Sequence, residues 1–328
     1  MVRSNWFPIL LGIIILYVVI HSLSAKQAAA PHSAIASDFD EWEPPDINSL
    51  PDDSAGNSIR YGKDLIVNTA KYFGPRGSIA HITNGMNCQN CHIDAGEKPF
   101  GNSFAAVAAT YPKYRERSGR VESIEWRIKE CMERSLNGKS VDSLDMTMKA
   151  MVAYIKWVGK EVKKGDKPTG AGLRDLTFLN RAADPSNGKV IYQQQCQRCH
   201  GTNGEGQLRF DSIDYAYPPL WGPHSYNVSA GLYRISRLAA YVKDNMPFGI
   251  ASFKTPQLSD EEAWDIAAYI SSQSRPALFF KYDWPNIATK PIDYPFGPYH
   301  DNFSETQHKF GPFEPIKKAR VPLIGKNN

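Results

Sequence analysis

The sequence contains two copies of the pattern Cys-x-x-Cys-His, at residues 88–92 and 196–200. Two thiols at this spacing lie one helical turn apart, so they can add to the two vinyl groups of a single porphyrin. The histidine that follows then lies beneath the iron as an axial ligand. We therefore predict two covalently bound haem c groups. The cysteines that attach them are Cys88, Cys91, Cys196 and Cys199, and the first iron ligands are His92 and His200.

Two other kinds of site use similar cysteine patterns, a zinc site and a thiol redox site. A structural zinc site would need a further pair of Cys or His at short spacing. A redox motif of the thioredoxin type would lie between a strand and a helix, whereas residues 201–206 after the second motif are a polar, glycine-rich stretch. The presence of two copies in one chain favours haem attachment over both alternatives.

The first thirty residues are typical of an export segment. Arg3 precedes an uncharged stretch, residues 4–25, whose apolar centre is followed by small residues. This arrangement predicts either a cleaved signal peptide, residues 1–30, or a membrane anchor through residues 6–25. Both place the rest of the chain in the periplasm, soluble or tethered to the inner membrane. This location agrees with the predicted haem groups, because haem c is attached after export.

Composition indicates a globular protein without a nucleic-acid partner. The chain has 328 residues, 42% of them hydrophobic, and a formal net charge of +4. This length is enough for two domains of ordinary size with tails. The small, dispersed positive charge suits small anions or an acidic partner and argues against binding of nucleic acid.

A degenerate internal repeat predicts two tandem domains. Each half begins with Gly-Lys (residues 62–63 and 188–189), continues to the haem motif and ends in a helix with Ala-Tyr-Ile (residues 153–155 and 268–270). Helical spacing of apolar residues, and a capping box of Ser259 with Glu262, support these last helices. We predict an all-α protein with two cytochrome c domains. The predicted segments are domain 1 at residues 48–160, a linker at 161–184, domain 2 at 185–275 and a C-terminal extension at 276–328.

The sixth ligand of each iron can be sought from the same repeat. Met246 is the only methionine after His200, and methionine is the usual partner of histidine in electron-transfer cytochromes c. His224 is the rival. Met246 lies 22 residues before Ala268, and Cys131 lies 22 residues before Ala153, so the unpaired cysteine takes the register position of the methionine. Cys131 is therefore predicted to ligate the first iron. A small buried hydrophobe is the alternative role for Cys131, and the alternative ligands are Met146, Met148, Met151 and His81.

The surroundings of Cys131 are predicted to be helical and positively charged. Residues 121–136 have a helical pattern that puts Arg127, Cys131 and Ser135 on one face. Between residues 113 and 139 there are eight Lys or Arg against five Glu. A solvated helix surface would explain most of them. Guanidinium groups beside a metal-bound thiolate instead suggest a site for an oxyanion.

At this point the sequence resembles a known family, the dihaem thiosulfate dehydrogenases. The resemblance is carried by residues 111–120 and 126–138, above all Cys-Met-Glu-Arg-Ser-Leu-Asn-Gly at 131–138, and by residues 217–222 and 245–249. It implies that two thiosulfate ions are oxidised to tetrathionate at a haem ligated by His92 and Cys131. It further implies that Arg117, Arg127 and Ser135 hold the substrate. Electrons would leave through the haem of His200 and Met246 to a redox partner cytochrome or another acceptor.

The unequal ligand sets favour an enzyme. A thiolate stabilises ferric iron, whereas methionine raises the reduction potential, so the first haem suits chemistry and the second suits electron export. The cysteine sulfur could also act as a nucleophile that carries a thiosulfonate. The same site could reduce tetrathionate. The alternatives are an electron carrier without a catalytic site and a cytochrome that loads thiosulfate onto a carrier protein.

The C-terminal extension, residues 276–328, contains eight prolines and ten aromatic residues. The prolines disfavour helices and central strands, and the aromatic residues are atypical of disorder. We predict an extended strap that packs across the domains. A docking surface for a redox partner is the alternative.

Overall fold

The structure is a computed structural model that describes residues 41–324, and most of its regular elements are helices. The α-helices of this range are α1 (Ser54–Val67), α2 (Thr69–Phe73), α3 (Val107–Thr110), α4 (Ile124–Arg134), α5 (Met146–Val158), α6 (Pro185–Gln195), α7 (Gln197–His200), α8 (Ile235–Asn245), α9 (Asp260–Ser272), α10 (Glu305–Phe310) and α11 (Glu314–Ile324). Short 3₁₀ turns lie at Ile47–Ser49, Cys88–Asn90, Asp94–Gly96, Gly231–Tyr233 and Ile287–Thr289. The helical framework predicted from the sequence is confirmed.

Two small hairpins were not predicted. Strands β1 (Lys113–Arg115) and β2 (Arg120–Glu122) pair antiparallel, as do β3 (Gln207–Leu208) and β4 (Tyr215–Tyr217). At two or three residues each, these strands are too short for an alternating pattern to show. The first hairpin turns at Gly119, whose φ of +65° favours glycine. It also shortens the helix predicted for residues 121–136, because Val121 and Glu122 belong to β2 and α4 begins at Ile124.

The internal repeat corresponds to one helix crossing that occurs twice. A Cβ atom placed on Gly62 of α1 would lie 2.0 Å from the carbonyl oxygen of Ala150 in α5. A Cβ atom on Gly188 of α6 would lie 1.9 Å from the carbonyl oxygen of Asp265 in α9. Any larger residue would push the helices apart, so glycine permits the close crossing in each half.

Each half has its own hydrophobic core. The first contains Leu65, Phe73, Met148, Tyr154 and Val158, all fully buried. The second core contains the following buried residues: Tyr192, Ile235, Trp264, Ile266 and Ile270. The predicted capping box at α9 is present, since Ser259 accepts from the Glu262 N–H and Glu262 reaches back to the Ser259 N–H.

The C-terminal extension runs without regular secondary structure along most of residues 276–304 and then forms helices α10 and α11. Helices were not expected in a proline-rich segment. Pro315 falls in the first turn of α11, where its missing N–H would have no helical partner in any case. Phe313 and Ile316 are buried in the second core, with the Phe313 ring 5.7 Å from that of Trp264. Burying one such apolar side chain contributes about 1.5–3 kcal/mol, so tertiary packing holds these helices.

The predicted export segment, residues 1–30 with its apolar centre at 6–25, lies outside the described residues. Within residues 41–324, none of the helices has the length and apolar character needed to cross a bilayer.

Candidate functional site

The first Cys-x-x-Cys-His motif folds as a tight turn. Cys88 begins a 3₁₀ turn, and its carbonyl accepts hydrogen bonds from the N–H groups of Cys91 (3.1 Å) and His92 (3.0 Å). Burial raises the pKa of Cys88 to about 11 and that of Cys91 to about 12. Both sulfurs are therefore held close together in an environment that disfavours the thiolate, which suits side chains that end as uncharged thioethers.

The two motif histidines have the same orientation. Nδ1 of His92 lies 2.7 Å from the carbonyl oxygen of Asn102, and Nδ1 of His200 lies 2.9 Å from the carbonyl oxygen of Pro218. A hydrogen bond from Nδ1–H to a carbonyl leaves Nε2 with its lone pair, as in histidines that bind metals. Burial lowers the pKa of His92 to about 4, so the imidazole is neutral. Both histidines thus fit iron ligation through Nε2.

The second motif opens on an apolar cavity of about 520 Å³. Cys196 caps α6, and α7 carries Cys199 and His200 to the cavity wall. Met246, the first residue after α8, lines the same cavity. Its rival His224 is exposed. A largely apolar cavity bordered by two cysteines, a histidine and a methionine fits a haem with the predicted ligand pair.

The two motifs share this cavity, because Met86, Asn90 and Cys91 of the first half also line it. Tyr241 of α8 lines the cavity as well and donates a hydrogen bond of 2.7 Å to the carbonyl oxygen of Asn90. Groups bound at the two motifs would therefore be neighbours, which is the arrangement that electron transfer between them requires.

Cys131 lies on α4 beside the first motif. A thiolate at Cys131 contributes to the raised pKa values of both Cys88 and Cys91, so its charge acts directly on that motif. Ser135 follows the end of the helix and donates its backbone N–H to the Cys131 carbonyl at 2.8 Å. Of the alternative ligands, Met148 and Met151 are buried in the first core, and Met146 and His81 are exposed.

Arg127 is the arginine most strongly coupled to this cysteine. The negative charge of a Cys131 thiolate is the main cause that raises the pKa of Arg127. Its guanidinium also lies 3.2 Å from the carboxylate of Glu130, one turn along α4. The structure thus brings together a sulfur and a cation one helical turn apart, as the spacing predicted.

Arg117, between β1 and β2, is 8% exposed. Its Nη1 donates to the carbonyl oxygen of Ser229 at 3.2 Å, and its Nε has no hydrogen-bond partner among the described residues. Burial, then the charges of Arg134 and Arg127, lower its pKa to about 10, which keeps it protonated at neutral pH. Arg134 differs, because Asp283 receives both of its Nη groups at 2.6 and 2.8 Å and Glu130 lies 3.3 Å away.

Two residues near Cys131 were not singled out from the sequence. Tyr111 has its pKa raised by burial, and the charges of Arg127, Arg115 and Cys131 all act on it. Glu122 is 1% exposed, yet neither of its carboxylate oxygens has a hydrogen-bond partner among residues 41–324. The excess of positive charge in this region was visible in the sequence. The burial of the Glu122 carboxylate on strand β2 was not.

The charges and donors of these residues suit a small, doubly charged anion beside the sulfur of Cys131. Arg127 lies one helical turn from Cys131, and Arg134 is close enough to Arg117 for its charge to lower the pKa of Arg117. Asp283 and Glu130 pair with Arg134, and Glu130 also pairs with Arg127, so of these three arginines Arg117 is the one without an ion pair among residues 41–324. An anion can exchange its hydration shell for such fixed donors.

Comparison with known proteins finds cytochrome c relatives for both halves of the chain. A family model described as the SoxA/TsdA cytochrome c domain matches residues 79–163, and the cytochrome c model matches residues 185–274. The thiosulfate dehydrogenase of Psychrobacter arcticus is 36% identical over 245 residues, which are 74% of this chain and 71% of that protein. The thiosulfate dehydrogenase of Allochromatium vinosum is 36% identical over 231 residues, covering 69% of this chain and 82% of that protein.

A solved structure is also similar, the thiosulfate dehydrogenase (TsdBA) from Marichromatium purpuratum in its "as isolated" form. The TM-score is 0.67 at 30% sequence identity. The match covers 83% of this chain and 54% of that chain, so this chain corresponds to little more than half of the solved one.

Proposed function

The chain belongs to the thiosulfate dehydrogenase family, and we propose that it joins two thiosulfate ions into tetrathionate at the haem attached to Cys88 and Cys91. His92 and Cys131 would hold the iron of that haem, and His200 and Met246 would hold the iron of the haem attached to Cys196 and Cys199. When bound, the haem groups accept the two electrons of the reaction and pass them to an external redox partner. The reaction takes place in the periplasm, where haem c is attached.

The first task of the protein is to overcome charge repulsion. Two unit charges 4 Å apart repel by about 4 kcal/mol at an effective dielectric constant of 20, and two thiosulfate dianions have four such pairs of charges. Arg127 beside Cys131 and the buried Arg117 supply the opposing charge. Their planar guanidinium groups match the oxygens of a sulfonate. Ser135 lies at the end of α4, one turn from Cys131, and completes the polar lining that we assign to the substrate.

The second task is to form a sulfur–sulfur bond in steps that balance. The thiolate of Cys131 forms a bond to the terminal sulfur of the first thiosulfate, and two electrons leave. The product is a cysteine S-thiosulfonate with one negative charge. The terminal sulfur of the second thiosulfate then attacks the sulfur bonded to Sγ, the bond to Sγ breaks, and tetrathionate departs as Cys131 regains its thiolate. In reverse, the same steps cleave tetrathionate.

One observation carries the proposal: the charge of Cys131 acts both on the cysteines of the first motif and on Arg127, which is one helical turn away on α4. An electron-carrying cytochrome without a catalytic site has no need of a cation beside a further sulfur at its haem motif. Arg127 also pairs with Glu130, and its charge beside Cys131 suits a sulfur that is anionic or meets an anion.

The test is the variant Cys131→Ala, with Met132→Leu as the matched control on the same helix. Met132 is buried in the first core and has no role in the chemistry we assign. We expect Cys131→Ala to keep both haems. Its kcat for tetrathionate formation with an artificial acceptor should fall by about a thousandfold or more, and the low-spin His/thiolate signal in electron paramagnetic resonance should disappear. A loss of this size equals about 4 kcal/mol of transition-state stabilisation. Full activity of this variant would refute the assignment of Cys131.

A second measurement tests the covalent step by itself. Mass spectrometry of the oxidised protein mixed with limiting thiosulfate should reveal a thiosulfonate on the peptide that contains Cys131. The adduct should be lost when further thiosulfate is added. Turnover without any such adduct under quenching would exclude the covalent route and leave Cys131 as a ligand alone.

A further inference from the structure

One short stretch of the C-terminal extension, residues 280–285, contacts the arginines near Cys131. The backbone N–H of Trp284 donates to the carbonyl oxygen of Arg117 at 2.6 Å. Asp283 receives the guanidinium of Arg134, and that guanidinium also lies 3.9 Å from the centre of the Phe280 ring. The second domain's family match ends at residue 274, so this stretch is outside both matched regions.

Trp284 is held in place by its surroundings against its own backbone preference. Its φ is +61°, a left-handed conformation that is unfavourable for a bulky residue. The conformation places the indole ring 5.6 Å from the guanidinium carbon of Arg117 and 5.5 Å from the ring of Tyr294. Non-glycine residues in this region cluster at functional sites, because packing must compensate for the strain.

Two buried donors remain without partners at this contact. Within residues 41–324, neither the indole Nε1–H of Trp284 nor the Nε–H of Arg117 has a hydrogen-bond acceptor. Native proteins rarely bury polar groups in this way, because each unsatisfied donor loses its hydrogen bonds with water. One of them belongs to a cation, whose guanidinium carbon lies 5.6 Å from the centre of the Trp284 ring.

Arg117 also lacks a direct ion pair. Whereas Arg134 has Asp283 and Glu130 as partners within 4 Å, Arg117 has none in the part of the chain that the structure describes, and the charge of Glu130 only partly offsets the effect of burial and of the neighbouring arginines on its pKa. A guanidinium that is only 8% exposed and has no direct carboxylate partner is costly unless an anion joins it. An oxyanion would satisfy both the charge and the free donors.

We propose that Trp284 is a binding residue of a second anion subsite, in which its Nε1–H and Arg117 hold the sulfonate that is farther from Cys131. The proposal rests on the proposed function and adds a subsite to it. Tetrathionate has a sulfonate at each end, and the bond-forming step needs both thiosulfate ions at once. Arg127 lies one helical turn from Cys131 on α4 and serves the sulfonate attached there, whereas Arg117 lies between β1 and β2, against Trp284.

The experiment measures anion binding without turnover. Tetrathionate is titrated calorimetrically into the oxidised full-length holoprotein that carries Cys131→Ala, because this protein has no thiolate at that position to cleave the tetrathionate, and each titrated variant is made in this background. The variant Trp284→Phe keeps an aromatic ring beside Arg117 and removes only the N–H donor. The matched control is Tyr282→Phe, because Tyr282 lies in the same stretch and is 80% exposed. We expect a Kd about tenfold to a hundredfold larger for Trp284→Phe, as for the loss of one hydrogen bond to a charged group, and an unchanged Kd for Tyr282→Phe.

Steady-state kinetics give a second reading. Trp284→Phe should raise KM for thiosulfate by a similar factor and leave kcat within about twofold, because the N–H binds ground state and transition state alike. Trp284→His, which keeps a ring N–H, should bind more tightly than Trp284→Phe. Unaltered haem absorption bands in each variant establish that the fold is intact.

The outcomes separate the subsite from the proposed function. Equal Kd values with and without Trp284→Phe in the Cys131→Ala background, with the haem bands intact, would overturn the subsite while the proposed function stands. Failure of the unaltered protein to bind tetrathionate or to oxidise thiosulfate would overturn the proposed function, and the subsite with it.

Discussion

The hydroxyl of Tyr241, on helix α8 of the second domain, donates a hydrogen bond of 2.7 Å to the carbonyl oxygen of Asn90, inside the first haem motif. Asn90 stands between the two cysteines of that motif, so the bond ties the motif of one domain to the body of the other. Burial raises the pKa of Tyr241 well above 10, and its hydroxyl is a permanent donor.

We expect Tyr241→Phe to destabilise the protein by about 1–3 kcal/mol, because the partly buried carbonyl of Asn90 would lose its donor. Denaturant unfolding of the holoprotein measures this change. Tyr114→Phe, at an exposed tyrosine of β1, is the control and should lie within about 0.5 kcal/mol of the unaltered protein. Equal stability of both variants would show that the bond contributes nothing to domain contact.

Replacement of Met246 by leucine should lower the reduction potential of the second haem. A thioether ligand raises the potential of a histidine-ligated haem, and leucine offers no ligand atom. Redox titration followed by absorption spectroscopy measures the potential. Met148→Leu, in the buried core of the first domain, is the control that should leave both potentials unchanged. An unaltered potential in Met246→Leu would require a different ligand for that iron.

Arg127→Lys should weaken thiosulfate binding although it conserves charge. Lysine cannot present the planar fork of donors that matches a sulfonate, so we expect KM to rise about tenfold to a hundredfold, as for loss of a hydrogen bond to a charged group. The control is Arg120→Lys on the neighbouring strand β2, where the arginine is exposed and lies over Trp126. A KM that stays the same in Arg127→Lys would remove Arg127 from the substrate site.

Asp283→Asn should release the extension from helix α4. Arg134 is almost completely buried, and Asp283 binds both of its Nη groups. Loss of one partner from a buried ion pair costs about 3 kcal/mol or more. Limited proteolysis should then cut near residue 283 faster than in the unaltered chain. Glu314→Gln, which breaks a surface pair with Lys317, provides the comparison and should not change the rate of cleavage.

The ion pair of Asp293 with Arg234 predicts a pH dependence of stability. Burial by itself would raise the pKa of Asp293, but Arg234 and the hydrogen bonds from Ser236 outweigh it and lower the pKa below 3.8. A carboxylate with a lowered folded pKa stabilises the protein above its unfolded pKa, and this stability is lost as the pH falls through the folded pKa.

We therefore expect Asp293→Asn to be less stable by about 3 kcal/mol at pH 7, with a difference that narrows at pH values below 3.8. Unfolding by denaturant at several pH values gives the comparison. Asp175→Asn removes the partner of Arg237 at an aspartate whose side chain is 79% exposed, and it should have almost no effect at any pH. A difference for Asp293→Asn that does not depend on pH would contradict the role of its charge.

Much of the architecture was accessible from the sequence because it depends on local spacing. The Cys-x-x-Cys-His motifs require no knowledge of distant residues, and the Gly-Lys and Ala-Tyr-Ile markers correspond to the crossing at Gly62 and its counterpart at Gly188. The prediction of a proline-rich strap was only partly successful. Helices α10 and α11 form because Phe313 and Ile316 are buried in the second core, and proline count carries no information on that contact.

The candidate site divides in the same way. The helical spacing of Arg127 and Cys131 predicted their shared face, since residues four apart lie one turn apart. The sequence could not predict that Glu122 is buried, nor that Arg134 is neutralised by Asp283. Both depend on segments that are distant in the chain. Asp283, which neutralises Arg134, lies 149 residues farther along.

By itself, the sequence determined the chemistry that is encoded in short spacings: two haem attachment motifs, their histidines and a cysteine one helical turn from an arginine. Only the tertiary structure decided which of the nearby arginines are paired with a carboxylate and which is not. That decision depends on desolvation and pairing among residues far apart in the chain, such as Trp284 against Arg117, and these contacts arise only when the extension packs against the folded domains.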